Sequence, residues 1–158
     1  MTRNELIELL NSKEISYEIT EHVPVYTIEE MLECNLPYPE IIAKNLFIRD
    51  DKKRNYYLIT VQEERKINLK EFQEQFGTRK LSFASENDLM SILGLIKGSV
   101  TPFGLLNDEE RKVKLFIGKE FTNAKLGIHP LENTATIWIN GTDLINLIKE
   151  HGNEIVEF

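Results

Sequence analysis

The sequence carries a single cysteine, Cys34, and only three histidines in 158 residues. One cysteine cannot form an internal disulfide, and paired metal-ligand spacings such as Cys-x-x-Cys are absent, so neither a metal nor another cofactor is expected. Long apolar runs are missing too. No stretch approaches the roughly 18 consecutive apolar residues that cross a bilayer, and the opening Met-Thr-Arg-Asn-Glu lacks the basic-then-apolar layout of a secretion signal. A cytoplasmic protein without a membrane partner is the expectation. Positive charge is in deficit, with 19 Lys and Arg against 26 Asp and Glu and a net charge of -7. That balance excludes a protein that grips a phosphate backbone over its whole surface, so any nucleic acid must be held locally. The short clusters Lys52-Lys53-Arg54, Arg65-Lys66, Arg79-Lys80 and Arg111-Lys112 have acids nearby and read as solvated turns and faces. A Gly-x-Ser-x-Gly elbow, a Walker phosphate loop and a Gly-x-Gly-x-x-Gly turn are all lacking, which leaves serine hydrolases, P-loop NTPases and common dinucleotide binders without support.

What is present suits one globular domain over residues 1–158, with 41% hydrophobic and 28% charged residues. Four capping pairs mark helix starts: Thr2/Glu5, Thr27/Glu30, Asn68/Glu71 and Ser85/Asp88. Leu6, Ile7, Leu9 and Leu10 give a first amphipathic helix over about residues 3 to 12, and Leu144, Ile145, Leu147 and Ile148 give a last one after Thr142. Strand character falls on Tyr17–Ile19, Leu46–Arg49, Tyr56–Val61, Val113–Ile117 and Thr136–Ile139, with a hairpin through Asp50–Asn55 and a possible edge strand in Glu154–Phe158. Helices and strands interleave without regular βαβ alternation, which predicts an α+β fold with a mixed or antiparallel sheet.

Three segments depart from simple packing. In Ile42-Ala43-Lys44-Asn45-Leu46-Phe47 a charge and an amide stand between apolar neighbours; the lysine either presents its ammonium group to a pocket or merely packs its stem on the core. Gly98-Ser99-Val100-Thr101-Pro102 combines a glycine that permits close backbone approach with a proline that fixes the chain. Such a loop can aim amides at a carbonyl oxygen, or can simply be a turn. In His129-Pro130 the proline biases the histidine toward an extended backbone, so the imidazole points in a defined direction for acid–base, hydrogen-bonding or purely structural use. Cys34 reads as a buried or partly buried thiol.

Taken in order, Glu21-His22-Val23-Pro24-Val25-Tyr26-Thr27-Ile28-Glu29-Glu30, Lys44-Asn45-Leu46-Phe47, Gly98-Ser99-Val100-Thr101-Pro102, and His129-Pro130-Leu131 with Asn133-Thr134-Ala135-Thr136 resemble the YbaK and prolyl-tRNA editing family. The resemblance covers nearly the whole chain and is nearest to the stand-alone ProXp-ala branch. It implies a curved, mixed, largely antiparallel sheet flanked by helices, and trans-acting hydrolysis of mischarged aminoacyl-tRNA. By the same resemblance Lys44, Asn45 and His129 are catalytic residues, and Gly98, Ser99, Val100, Thr101 and Pro102 form the substrate loop. Thr101 stands where related loops often carry serine, and keeps the hydroxyl.

An aminoacyl ester is already activated, so a site of this kind need only position water, stabilise the oxyanion and exclude the correct amino acid. Amides of the Gly98 loop would hold the ester carbonyl, Lys44 and Asn45 would fix the terminal adenosine and reacting centre, and His129 would orient the site or the water, which a ribose hydroxyl of the substrate would partly activate. Val25, Thr27, Ile28 and Met31 are the candidate walls of a pocket that admits alanine and rejects proline, although core packing explains such apolar side chains equally well. The implied partners are the acceptor end of a charged tRNA and, among proteins, prolyl-tRNA synthetase or an elongation factor. Removal of cysteine from the same tRNA, and a non-catalytic tRNA- or synthetase-binding module, are the alternatives.

Overall fold

The computed structural model describes all 158 residues. Each expected cap is formed. The Thr2 side chain accepts from the Glu5 amide ahead of α1 (Arg3–Ser12), and Thr27 does the same from Glu30 ahead of α2 (Ile28–Glu33). Asn68 caps α3 (Leu69–Phe76), and Ser85 caps α4 (Glu86–Asp88), which runs on into a wider turn at Leu89–Leu93. These side-chain oxygens satisfy amides that a helix start otherwise leaves without partners. The last helix, α5 (Gly141–His151), starts two residues earlier than its apolar periodicity suggests, because Asn140 caps it through the Thr142 amide.

Eight strands form two sheets rather than one. β1 (Tyr17–Glu21), β7 (Ala135–Asn140) and β6 (Lys125–Ile128) make an antiparallel sheet in the order β1-β7-β6. The second sheet runs β4-β2-β3-β5-β8, from β4 (Leu81–Phe83), β2 (Ala43–Asp50) and β3 (Tyr56–Gln62) to β5 (Val113–Ile117) and β8 (Ile155–Glu157). Its β2–β3 and β2–β4 pairs are antiparallel, whereas β3–β5 and β5–β8 are parallel. The α+β class with mixed, largely antiparallel pairing therefore holds, as do the Asp50–Asn55 hairpin and the C-terminal edge strand. A single parallel bridge between Ile42 and Gly127 joins the two sheets.

Two strands escape the hydrophobic pattern. β4 is three residues long, too short for a period to show. β6 contains Gly127, a residue that usually weakens strands, because a Cβ there would lie 2.3 Å from Cζ3 of Trp138. Side chains alternate across the larger sheet as strand geometry requires. Phe47, Leu58 and Leu115 face a core of 24 buried residues shared with Leu6, Leu126, Ile137 and Leu144. Ile48, Ile59 and Phe116 face the opposite side, against Phe72. A third, smaller cluster of Val25, Met31, Leu36, Ile42 and Trp138 lies under the segment that follows β1.

Candidate active site

β2 has one edge that is covered at both ends and open between them. β4 pairs with it only from Ile48 to Asp50, and the Ala84 amide extends the contact to the Phe47 carbonyl. At the other end Ile42 bridges to Gly127. In an antiparallel ladder alternate residues turn their N–H and C=O to the same side, so Asn45, two residues before Phe47, points its backbone groups into the gap. A cavity of about 330 Å3 occupies this gap.

The walls come from four separated segments. Val25, Tyr26, Thr27, Ile28 and Met31 supply one side, Ala43, Lys44, Asn45 and Leu46 the strand edge, Gly98 and Val100 the loop, and His129 the remaining corner. Lys44, Asn45 and His129, and all four expected wall residues, thus converge on one hollow. Of the five expected loop residues only Gly98 and Val100 line it. Ser99 turns inward and its hydroxyl donates to the Ile96 carbonyl at 2.8 Å, while Thr101 and Pro102 are buried behind the wall. The Thr101 hydroxyl is buried without a hydrogen-bond partner.

Gly98 has φ +89°, a conformation that costs little only for glycine, and a Cβ at this position would lie 2.8 Å from Cδ1 of Tyr26. The loop backbone therefore packs directly on the Tyr26 side chain. The Ser99 amide donates to the Ile96 carbonyl, whereas the amides of Gly98 and Val100 donate to no protein acceptor and are free for a ligand.

The polar groups of the cavity are held in fixed roles. The fully buried Thr60 hydroxyl donates to Asn45 Oδ1 at 2.7 Å, which leaves the Asn45 amide hydrogens for the cavity. His129 Nδ1–H donates to the Ala135 carbonyl at 2.9 Å, so its Nε2 presents a lone pair. Burial pushes the His129 imidazole below its usual pKa; the bond to Ala135 opposes the shift and nearby His22, with ring centroids 6.0 Å apart, adds to it. The imidazole is thus neutral at pH 7. Lys44 forms no ion pair, whereas Lys13, Lys112, Lys114 and Lys125 each do.

The wall after β1 is fastened from behind. The His22 amide donates to the Thr134 carbonyl at 2.9 Å, and His22 Nε2 accepts from the Thr136 hydroxyl at 2.9 Å. Arg3 of α1 ties Glu21 to Glu132, and Glu132 in turn accepts from the Thr134 hydroxyl. Leu131, in the turn after His129-Pro130, adopts a left-handed backbone with φ 70°, a strained state that these surrounding contacts hold in place. Sequence reading missed Ala43 and Leu46 as wall residues and the open strand edge at Asn45; Tyr26 lies within the expected wall segment Val25 to Met31 and does line the cavity.

Comparison with known proteins gives this geometry a context. The aminoacyl-tRNA editing domain matches residues 22–147, a span that includes every cavity residue. The chain is 42% identical over 149 residues to the prolyl-tRNA editing protein ProX of Acetoanaerobium sticklandii, covering 94% of this chain and 91% of that one. It is 34% identical to the mouse prolyl-tRNA synthetase associated domain-containing protein 1, covering 96% and 92% of the two chains. A crystal structure described as a candidate trans-editing enzyme for prolyl tRNA synthetase superposes with a TM-score of 0.68 over 99% of this chain and 96% of that one, at 14% identity, and so shares the fold. The chain belongs to the aminoacyl-tRNA editing domain family.

Proposed function

We propose that this chain is a free-standing trans-editing deacylase that hydrolyses the ester between alanine and the tRNA of the proline system, with residues 1–158 acting as one editing domain. The observation that carries it is the convergence, on one small cavity, of Lys44, which has no ion-pair partner, a neutral imidazole and backbone amides without protein acceptors. No serine or cysteine nucleophile lines that cavity. An activated ester does not need one. The free amides of Gly98 and Val100 receive the developing oxyanion, and Lys44 supplies the positive charge beside it. His129 Nε2 accepts a hydrogen bond from the attacking water or from a ribose hydroxyl and thereby orients it. Asn45 holds the terminal adenosine through its amide and the open strand edge.

Selectivity follows from the walls. In this reading Val25, Ile28 and Met31, which line the cavity, admit the methyl group of alanine and exclude the ring of proline. Handover of the charged tRNA by prolyl-tRNA synthetase or an elongation factor is part of the same proposal, and co-sedimentation of the chain with each in the presence of tRNA tests it. The decisive experiment incubates the purified protein with proline tRNA charged with alanine, cysteine, serine or proline and follows ester loss. Alanine is expected to be released much faster than proline. Equal release of proline overturns the size selection, and faster release of cysteine reassigns the substrate.

A further inference from the structure

Beside the cavity lies a second hollow of about 260 Å3, and the two share Asn45, Leu46, Gly98 and Val100 as a common wall. Its floor is apolar, from Phe47, Ala84 and Leu89. Its rim carries Phe83, an aromatic ring left 63% exposed on the short edge strand β4, and Lys97, which is exposed and without an ion-pair or hydrogen-bond partner. Glu86 is the one carboxylate in the groove. An exposed aromatic beside an unpaired cation, on an apolar floor, is the arrangement that single-stranded nucleic acid binds: the ring stacks a base and the cation meets the phosphate. In a protein of net charge -7 such a feature is local by necessity.

We propose that the Phe83–Lys97 groove is a nucleotide subsite, which takes the unpaired nucleotide immediately preceding the aminoacylated terminal adenosine, its base on Phe83 and its phosphate at Lys97. The proposal rests on the deacylase function above, which places the terminal adenosine in the adjoining cavity. Continuity of the shared wall fixes the occupant: a chain leaving the cavity past Gly98 and Val100 enters this groove. Phe83 does not enter any of the three buried core clusters, so its removal leaves the fold intact.

The test uses two probes that cannot be hydrolysed: a hairpin RNA with an unpaired 3′ CCA end carrying alanine through an amide, and the alanylamide of adenosine alone. For the native protein the hairpin binds more tightly than the nucleoside. In Phe83→Ala that advantage is expected to shrink about 5- to 150-fold, and Phe83→Trp to restore it. Lys97→Gln is expected to reduce the slope of log affinity against log salt by about 0.7, the loss of one single-strand phosphate contact. An undiminished hairpin advantage in folded Phe83→Ala overturns the subsite. So does self-association of the native protein that Phe83→Ala abolishes at unchanged RNA affinity, since a second copy then fills the groove. Ester hydrolysis by the native protein is read separately: hydrolysis with an undiminished advantage sinks only the subsite, whereas hairpin binding without hydrolysis sinks only the deacylase function.

Discussion

Asn133 holds Val25 by both of its backbone groups: the Asn133 side-chain amide donates to the Val25 carbonyl at 2.8 Å, and the Val25 amide donates to the Asn133 carbonyl at 3.3 Å. Asn133 is buried, with 7% of its surface exposed, so the clamp is shielded from competing water. Val25 is a wall of the cavity, and the position of that wall therefore depends on a residue that does not line it.

Asn133→Ala removes the side-chain half of the clamp. It leaves the Val25 carbonyl buried and unpaired, at a cost of about 1 to 3 kcal/mol and a drop of several degrees in Tm. The proposed preference for alanine over proline is expected to fall several-fold as the wall relaxes, with alanine release itself changed less. Rates on both charged tRNAs, measured alongside a thermal melt, check this; an unaltered preference with a lowered Tm reduces Asn133 to a structural role.

Lys44→Ala removes a lining residue of the cavity that has no ion-pair partner and that the proposed function makes the source of positive charge. Loss of a charge-assisted interaction of about 2 to 4 kcal/mol predicts single-turnover deacylation slower by about 30- to 1000-fold, with little change in melting temperature. A lysine that only packs its stem on the core predicts near-normal rates and a modest stability loss. Full activity in a folded variant rejects the assignment of Lys44.

His129 titrates below its ordinary value because it is buried, so its protonation in the folded state lags behind that in the unfolded chain. The sign follows: the folded protein binds fewer protons, and this contribution to stability is complete above about pH 6.5 and is lost as pH falls from there through the folded pKa. If deacylation uses the neutral ring, as proposed, it is expected to stay level from pH 8 down through pH 6.5 and to decline only below it. Nitrogen NMR of the imidazole reads the pKa directly, and a midpoint above 6.5 contradicts the burial account. In the orienting role proposed for His129, His129→Ala is expected to cost less than Lys44→Ala.

Gly98→Ala forces a side chain into a left-handed backbone and against Tyr26 Cδ1. The backbone term alone is about 1 to 2 kcal/mol, and relief requires either Tyr26 or the loop to move. Because the loop carries the free Gly98 and Val100 amides, deacylation is expected to fall at least tenfold while Tyr26→Ala in the same background recovers part of it. No recovery in the double variant places the loss in the backbone conformation rather than in the Tyr26 contact.

The elements that were legible in the sequence are those governed by local rules. Caps at Thr2, Thr27, Asn68 and Ser85 depend on hydrogen bonds within three residues, and α1 and α5 show themselves through apolar residues at helical spacing. The paired strands of the hairpin follow from β-branched and aromatic runs on either side of a polar turn. Lys44, Asn45, Gly98 and His129 stood out because each interrupts the pattern of its own segment, and the order of the four segments identified the family.

Tertiary structure alone decided where those residues meet and which of their neighbours take part. The cavity exists because β4 is too short to cover β2 beyond Ile48 and because Ile42 crosses to Gly127 in the other sheet; both are pairings between segments more than 30 residues apart. The same closure turned Ser99, Thr101 and Pro102 away from the cavity and Val100 toward it, a choice that the loop sequence leaves open. The tautomer of His129 was set by the Ala135 carbonyl, and the wall at Val25 by Asn133, more than 100 residues away in the chain. Local propensity acts over a few residues, whereas these relationships depend on where separate strands and turns come to rest against one another once the shared core is formed.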